Sequence, residues 1–99
     1  MQALSSILAG VLRKLGLEAP TAGWKAVEEW PRLVGERVAR HSRAVSFRDG
    51  TLRVEVEGSA WMQELGLLKR DLVRRINEQL GTTAVRDVHF VVPRGGNLR

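Results

Sequence analysis

Leu52, Val54 and Val56 alternate with Arg53, Glu55 and Glu57, the period of two that a strand shows when one face of its sheet is dry. A dry face needs a cover, and the next residues supply it. Trp61, Leu65, Leu68, Leu72 and Ile76 recur at three- and four-residue spacing, which predicts a helix over 59–80 with one apolar stripe. Ser59 is placed to cap its start by accepting a hydrogen bond from a free backbone N–H, and Gly81 suits the left-handed turn that ends it. Strand and helix make one packing unit.

Upstream, Leu4, Ile7, Leu8, Val11, Leu12 and Leu15 predict an amphipathic helix over 3–15, either a lid on the sheet or a docking helix for a partner. Gly16 stops it, and 18–23 reads as a connector. Trp24, Val27, Trp30, Leu33, Val34 and Val38 predict a second helical region, with a short lead-in over 24–29 and Pro31 in the first turn of its main segment. Gly35, in mid-helix, predicts close approach to a neighbour. A strand over 43–48 places Val45 and Phe47 on one face and Ala44, Ser46 and Arg48 on the other, and Asp49-Gly50 closes a hairpin. Val88, Phe90 and Val92 share a face of a third strand over 85–92, which Pro93 ends. The fold class is therefore α+β in the order ααββαβ: a three-stranded mixed sheet with helices on one face, one domain over 1–93 and a flexible tail over 94–99.

Charge adds a candidate surface. The 99 residues carry 16 Lys and Arg against 11 Asp and Glu, a net charge of +5 that favours polyanionic partners. Lys69, Arg70, Arg74 and Arg75 crowd the polar face of the long helix, while Arg48 and Arg53 lie on the open sheet face and Arg43 stands before the hairpin. Clustered arginine is what phosphate tracking requires, so these seven are the candidate nucleic-acid contacts. The bland alternative makes Arg70 and Arg74 ordinary helix charges paired with Asp71, Glu78 or Glu64. Stacking residues are scarce. Phe47 and Phe90 face inward, Trp61 lies on the buried stripe, and the three tryptophans read as core or interface anchors, with Trp24 the one to expect outside.

Enzyme chemistry has little to work with. Cysteine is absent, which suits a reducing cytoplasm, and no apolar run reads as a secretory or spanning segment. His41 and His89 are the only histidines, and no metal-ligand, P-loop or nucleophile-elbow pattern occurs. Glu28 and Glu29 are adjacent and point about 100° apart on a helix, so they cannot flank one reacting bond. The reading is a cytoplasmic binding protein with no catalytic residues, cofactor, metal, membrane or small-molecule substrate.

Trp30-Pro31-Arg32-Leu33-Val34-Gly35, His41-Ser42, Asp49-Gly50-Thr51-Leu52-Arg53-Val54, Ser59-Ala60-Trp61, Glu64-Leu65, Ile76-Asn77 and Leu80-Gly81, in this order, resemble the DciA family. The likeness takes in the leading amphipathic helix and the closing strand. It implies a small domain like a type II KH domain and a role in assisting the loading of the bacterial replicative helicase. It also implies binding to DNA, and the expected partners are that helicase and single-stranded or forked DNA. Three features depart from the family pattern. Only 94–99 follow the last strand, where relatives often carry a long extension; Ala44 stands where proline is frequent; and the Gly-x-x-Gly loop with which KH domains grip nucleic acid is missing, so the likeness to KH is one of fold. An RNA-binding KH-like module and a protein-only interaction adaptor are the alternative functions.

Overall fold

The computed structural model describes residues 18–94; the helix expected over 3–15 and most of the tail expected over 94–99 lie outside the described residues. Among the described residues three helices come first, α1 (Glu18–Glu28), α2 (Trp30–Val34) and α3 (Glu36–Ala39). Strands β1 (Ser42–Arg48) and β2 (Thr51–Val56) follow, then α4 (Ser59–Leu67), α5 (Lys69–Leu80) and β3 (Asp87–Val91). The sheet has the order β1-β2-β3, antiparallel between β1 and β2 and parallel between β2 and β3. This is the mixed α+β architecture that the alternation and helical periods predict.

β2 is central, and its Leu52, Val54 and Val56 are fully buried. Val88 and Phe90 continue the dry face on β3, Ala44 and Phe47 on β1. Ala26, Trp30, Leu33, Leu65, Leu72 and Ile76 cover it from the helices. The one buried polar side chain among the described residues, Ser42, is satisfied on both sides. Its Oγ accepts from Trp30 Nε1–H at 2.9 Å and donates to the Val38 carbonyl at 2.6 Å, so the largest core side chain carries no orphan donor.

The faces of β1 differ from expectation. The register shifts between Ala44 and Ser46, a bulge with Val45 as the extra residue. Ser42, Ala44 and Phe47 therefore point inward, while Arg43, Ser46 and Arg48 point outward, and Val45 does not share the face of Phe47. The Asp49-Gly50 turn is as predicted, with φ of 51° and 82°.

Four helix boundaries also depart from the sequence reading. The 18–23 stretch is the first half of α1, not a connector. Pro20 falls in the first turn, where the backbone N–H has no intrahelical partner to lose. Gly23 lies so close to the Phe47 ring that a Cβ would overlap it, and the absent side chain is what lets α1 settle on β1. Gly35 marks no contact: nothing lies within 4 Å of where its Cβ would stand, and its φ of 89° breaks the chain between α2 and α3. Ser59 is the first helical residue rather than the cap, a place taken by Gly58 with φ of 94°. The predicted 59–80 helix breaks at Leu68, with φ of −96° and ψ of 5°. Unbroken, it would run about 33 Å, well beyond strands that span about 20 Å. The break lets α4 lie over β2 and β3 while α5 turns to pack on α1, α2 and β3. The Gly81 ending is as predicted, with φ of 65° and ψ of 38°, and the Thr82 N–H donates to the Asn77 carbonyl at 3.0 Å.

Two glycine substitutions separate these roles. Gly23→Ala should destabilise by about 1–3 kcal/mol because its methyl meets the Phe47 ring. Gly66→Ala, in α4 with open space around it, should stabilise by about 0.5–1 kcal/mol. Urea midpoints at constant slope measure both.

Candidate nucleic-acid interface

α5 begins with Lys69 and Arg70, and one turn later presents Val73 and Arg74 on the same side. These four, with Arg86 and Asp87 at the entry to β3, line a cleft of about 370 Å³. Its apolar floor and cationic walls hold one carboxylate, Asp87, which pairs with Lys69 at 3.3 Å. Arg74 pairs with Asp71 at 3.3 Å and with Glu78 at 3.8 Å, both across exposed side chains. Such pairs are worth at most about 1 kcal/mol and exchange readily for a phosphate. Arg70 has no acidic partner among the described residues, and Glu64 is engaged instead by Arg37 at 3.2 Å.

Arg86 is held in the cleft by its backbone. The Asn77 side chain clamps the preceding residue, donating from Nδ2 to the Val85 carbonyl at 2.8 Å and accepting from the Val85 N–H at 3.1 Å. The N–H groups of Arg86 and Asp87 then donate to the Gly50 carbonyl at 2.8 and 3.2 Å. Arg86 Nη2 reaches the Asp49 carbonyl at 3.3 Å, and a Cβ on Gly50 would stand 2.6 Å from Arg86 Nε. Hairpin turn, strand entry and cleft are thus one unit.

The outward face of the sheet continues from that unit. Arg48, Thr51 and Asp87 form one lateral row, Ser46, Arg53 and His89 the next, and Arg43 and Glu55 a third, the last two paired at 2.9 Å. Because Asp87 also reaches Lys69, the row that starts at Arg48 ends at the cleft. Lys69, Arg70, Arg74 and Arg86 thus line the cleft, while Arg48 and Arg53 stand on the outward sheet face, in the row that ends at Asp87 and the row beside it.

The other end of the sheet has a different chemistry. His41, just before β1, pairs with Glu57, just after β2, at 3.1 Å, and its ring stacks on Trp61 with centroids 4.5 Å apart and 16° between planes. The Arg37 guanidinium stands 5.5 Å from the centre of the Trp61 ring. Trp61 is thus a partly covered surface residue, not the buried stripe residue that its spacing predicts. Trp30 is the core tryptophan, and Trp24 is half-exposed as expected.

Among the described residues no group of three or more His, Asp or Glu is placed to hold a metal ion, and no helix is long and apolar enough to cross a membrane. The family model described as "Dna[CI] antecedent, DciA" matches residues 3–90. The chain belongs to the DciA family. It is 34% identical to the UPF0232 protein of Streptomyces avermitilis over 95 residues, covering 94% of this chain and 52% of that protein. The UPF0232 protein of Streptomyces coelicolor is 34% identical over 93 residues, 92% of this chain and 49% of the relative. A UPF0232 protein of Mycobacterium tuberculosis is 26% identical over 98 residues, 99% and 52% of the two chains. This DciA-family chain thus spans about half the length of the curated relatives it matches.

Of the candidate contacts in this DciA domain, Lys69, Arg70 and Arg74 line the cleft, Arg48 and Arg53 lie on the adjoining sheet face, and Arg43 lies at the far end of that face, tied to Glu55. Arg75 is exposed on α5 outside the cleft lining. Arg86 is the addition. In sequence it is a lone cation before a strand, and only the fold brings it to residues 37 positions away. Asn77→Asp should keep the shape of the clamp but lose its donor to the Val85 carbonyl. The expected loss is about 1–3 kcal/mol, with amide exchange at Val85, Arg86 and Asp87 rising first.

Proposed function

We propose that this chain is a DNA-replication accessory domain, without chemistry of its own, that binds the replicative helicase and DNA and assists loading of the helicase. The gathering of four cations on one cleft is the observation that carries the DNA half of the reading. Lys69, Arg70, Arg74 and Arg86 converge on one cleft; together with Arg48 and Arg53 on the outward sheet face they make, in this reading, a cation ribbon that offers a sugar-phosphate backbone sequence-independent contacts. Membership of the DciA family supports the helicase half. The aromatic and ionic cluster of Arg37, His41 and Trp61, at the opposite end of the sheet, has the composition of a protein-binding surface and leaves the cleft free. In this arrangement one end holds a strand while the other holds the ring, which raises the local concentration of each for the other.

Two measurements test the halves separately. Gel filtration with light scattering, at two salt concentrations, should give a stoichiometric complex of this chain with the replicative helicase of its own host; no complex at either salt overturns that half. DNA affinity should fall linearly with the logarithm of salt concentration. Arg70→Ala, Arg86→Ala and Arg48→Ala should each flatten that slope by about 1, and slopes equal to wild type would remove the ribbon from the DNA path.

A further inference from the structure

The α4–α5 junction carries an apolar feature that the core does not use. Leu67 is 83% exposed and Leu68 40%, and with Trp24 they are the exposed large hydrophobic side chains among the described residues. Gly66 beside them has open space, and the helix breaks at Leu68, so the pair forms a knuckle that projects from the fold. The next two residues are Lys69 and Arg70, which line the cationic cleft. An isolated surface leucine needs no explanation, but two together at a helix break, followed directly by cations that line the cleft, do.

We propose that Leu67 is a wedge residue that packs against an unstacked base of the strand whose phosphates lie in the cleft, giving the site a preference for single strand adjoining a duplex end over continuous duplex. This deepens the DNA half of the proposed function and rests on it. The charge of the cleft selects the occupant: a polyanion with an apolar face next to its charges, which a single strand presents at every base and a continuous duplex hides in its stack. No aromatic side chain lines the cleft, so it has no stacking platform of its own and an aliphatic side chain beside it takes that place. Leu67 suits the part because its exposure leaves it free to enter a step between bases, while the partly covered Leu68 roots the knuckle. The contact is indifferent to sequence, as every base offers an apolar face.

The full chain tests this by fluorescence anisotropy with three labelled DNAs of matched length: single-stranded, duplex with a single-stranded tail, and blunt duplex. A 2-aminopurine at the junction reports unstacking. Leu67 is too exposed for Leu67→Ser to endanger folding. The variant should keep the blunt-duplex affinity and the salt slope of the wild type. It should lose about fivefold to tenfold in affinity for the tailed duplex, together with the 2-aminopurine signal. Leu67→Trp should restore both. A Leu67→Ser variant equal to wild type on all three DNAs overturns the wedge and leaves the ribbon standing, whereas a wild type that binds none of them overturns both. Unchanged DNA binding with lost affinity for vesicles of anionic phosphatidylglycerol overturns the wedge in favour of a lipid contact.

Discussion

Parallel pairing of β2 with β3 is the constraint on which the rest of the molecule depends. Antiparallel neighbours can be joined by two residues, as Asp49-Gly50 joins β1 to β2, but a parallel neighbour requires the chain to travel back along the sheet before it can pair. Residues 57–86 make that journey, and α4 and α5 are its two legs. The return must end where β3 begins, beside the hairpin turn. It is this requirement that sets Lys69 against Asp87 and Arg86 against Asp49. The cationic cleft is therefore a product of topology as much as of composition.

The cover of the sheet follows from the same arrangement. α5 turns away from the line of α4 and meets α1 and α2, so that Leu72 and Ile76 close over a core anchored by Trp30. The indole would carry an unpaired donor into that core were it not for Ser42, itself tied to the Val38 carbonyl. The polar chain costs little because every member is satisfied, and it locks the first helices to the start of β1. Cohesion comes from this packing. The exposed ion pairs of α5 add little, which leaves their cations available to a ligand.

Where one period governs a segment, the sequence was transparent: β2, β3, the Asp49-Gly50 turn and the Gly81 ending all read correctly because each depends on residues within a few positions of one another. Glycine and proline misled where their reason was tertiary. Pro20 and Gly23 look like breakers, yet the first costs nothing in an opening turn and the second answers to a ring on another element. Gly35 erred in the opposite direction, serving the backbone where a contact was expected. The break at Leu68 has no strong local signal, because it reflects the length of the sheet beneath. In the site, Lys69, Arg70 and Arg74 were legible as a cluster on one helix face, whereas Arg86 and the bared Leu67 depend on how the chain returns.

The bulge at Val45 resolves a conflict of phase. Arg43 and Arg48 are an odd number of positions apart, so an unbroken strand would send their side chains to opposite sides of the sheet and place one guanidinium beneath the helices. Ala44 and Phe47, also oddly spaced, would part in the same way, and one would leave the core. A single unpaired residue shifts the alternation by half a period between the two pairs. Both arginines then face water and both apolar side chains face inward. A strand whose plain reading is contradictory thus becomes consistent, and the two arginines share the outward face because of one residue left out of the ladder.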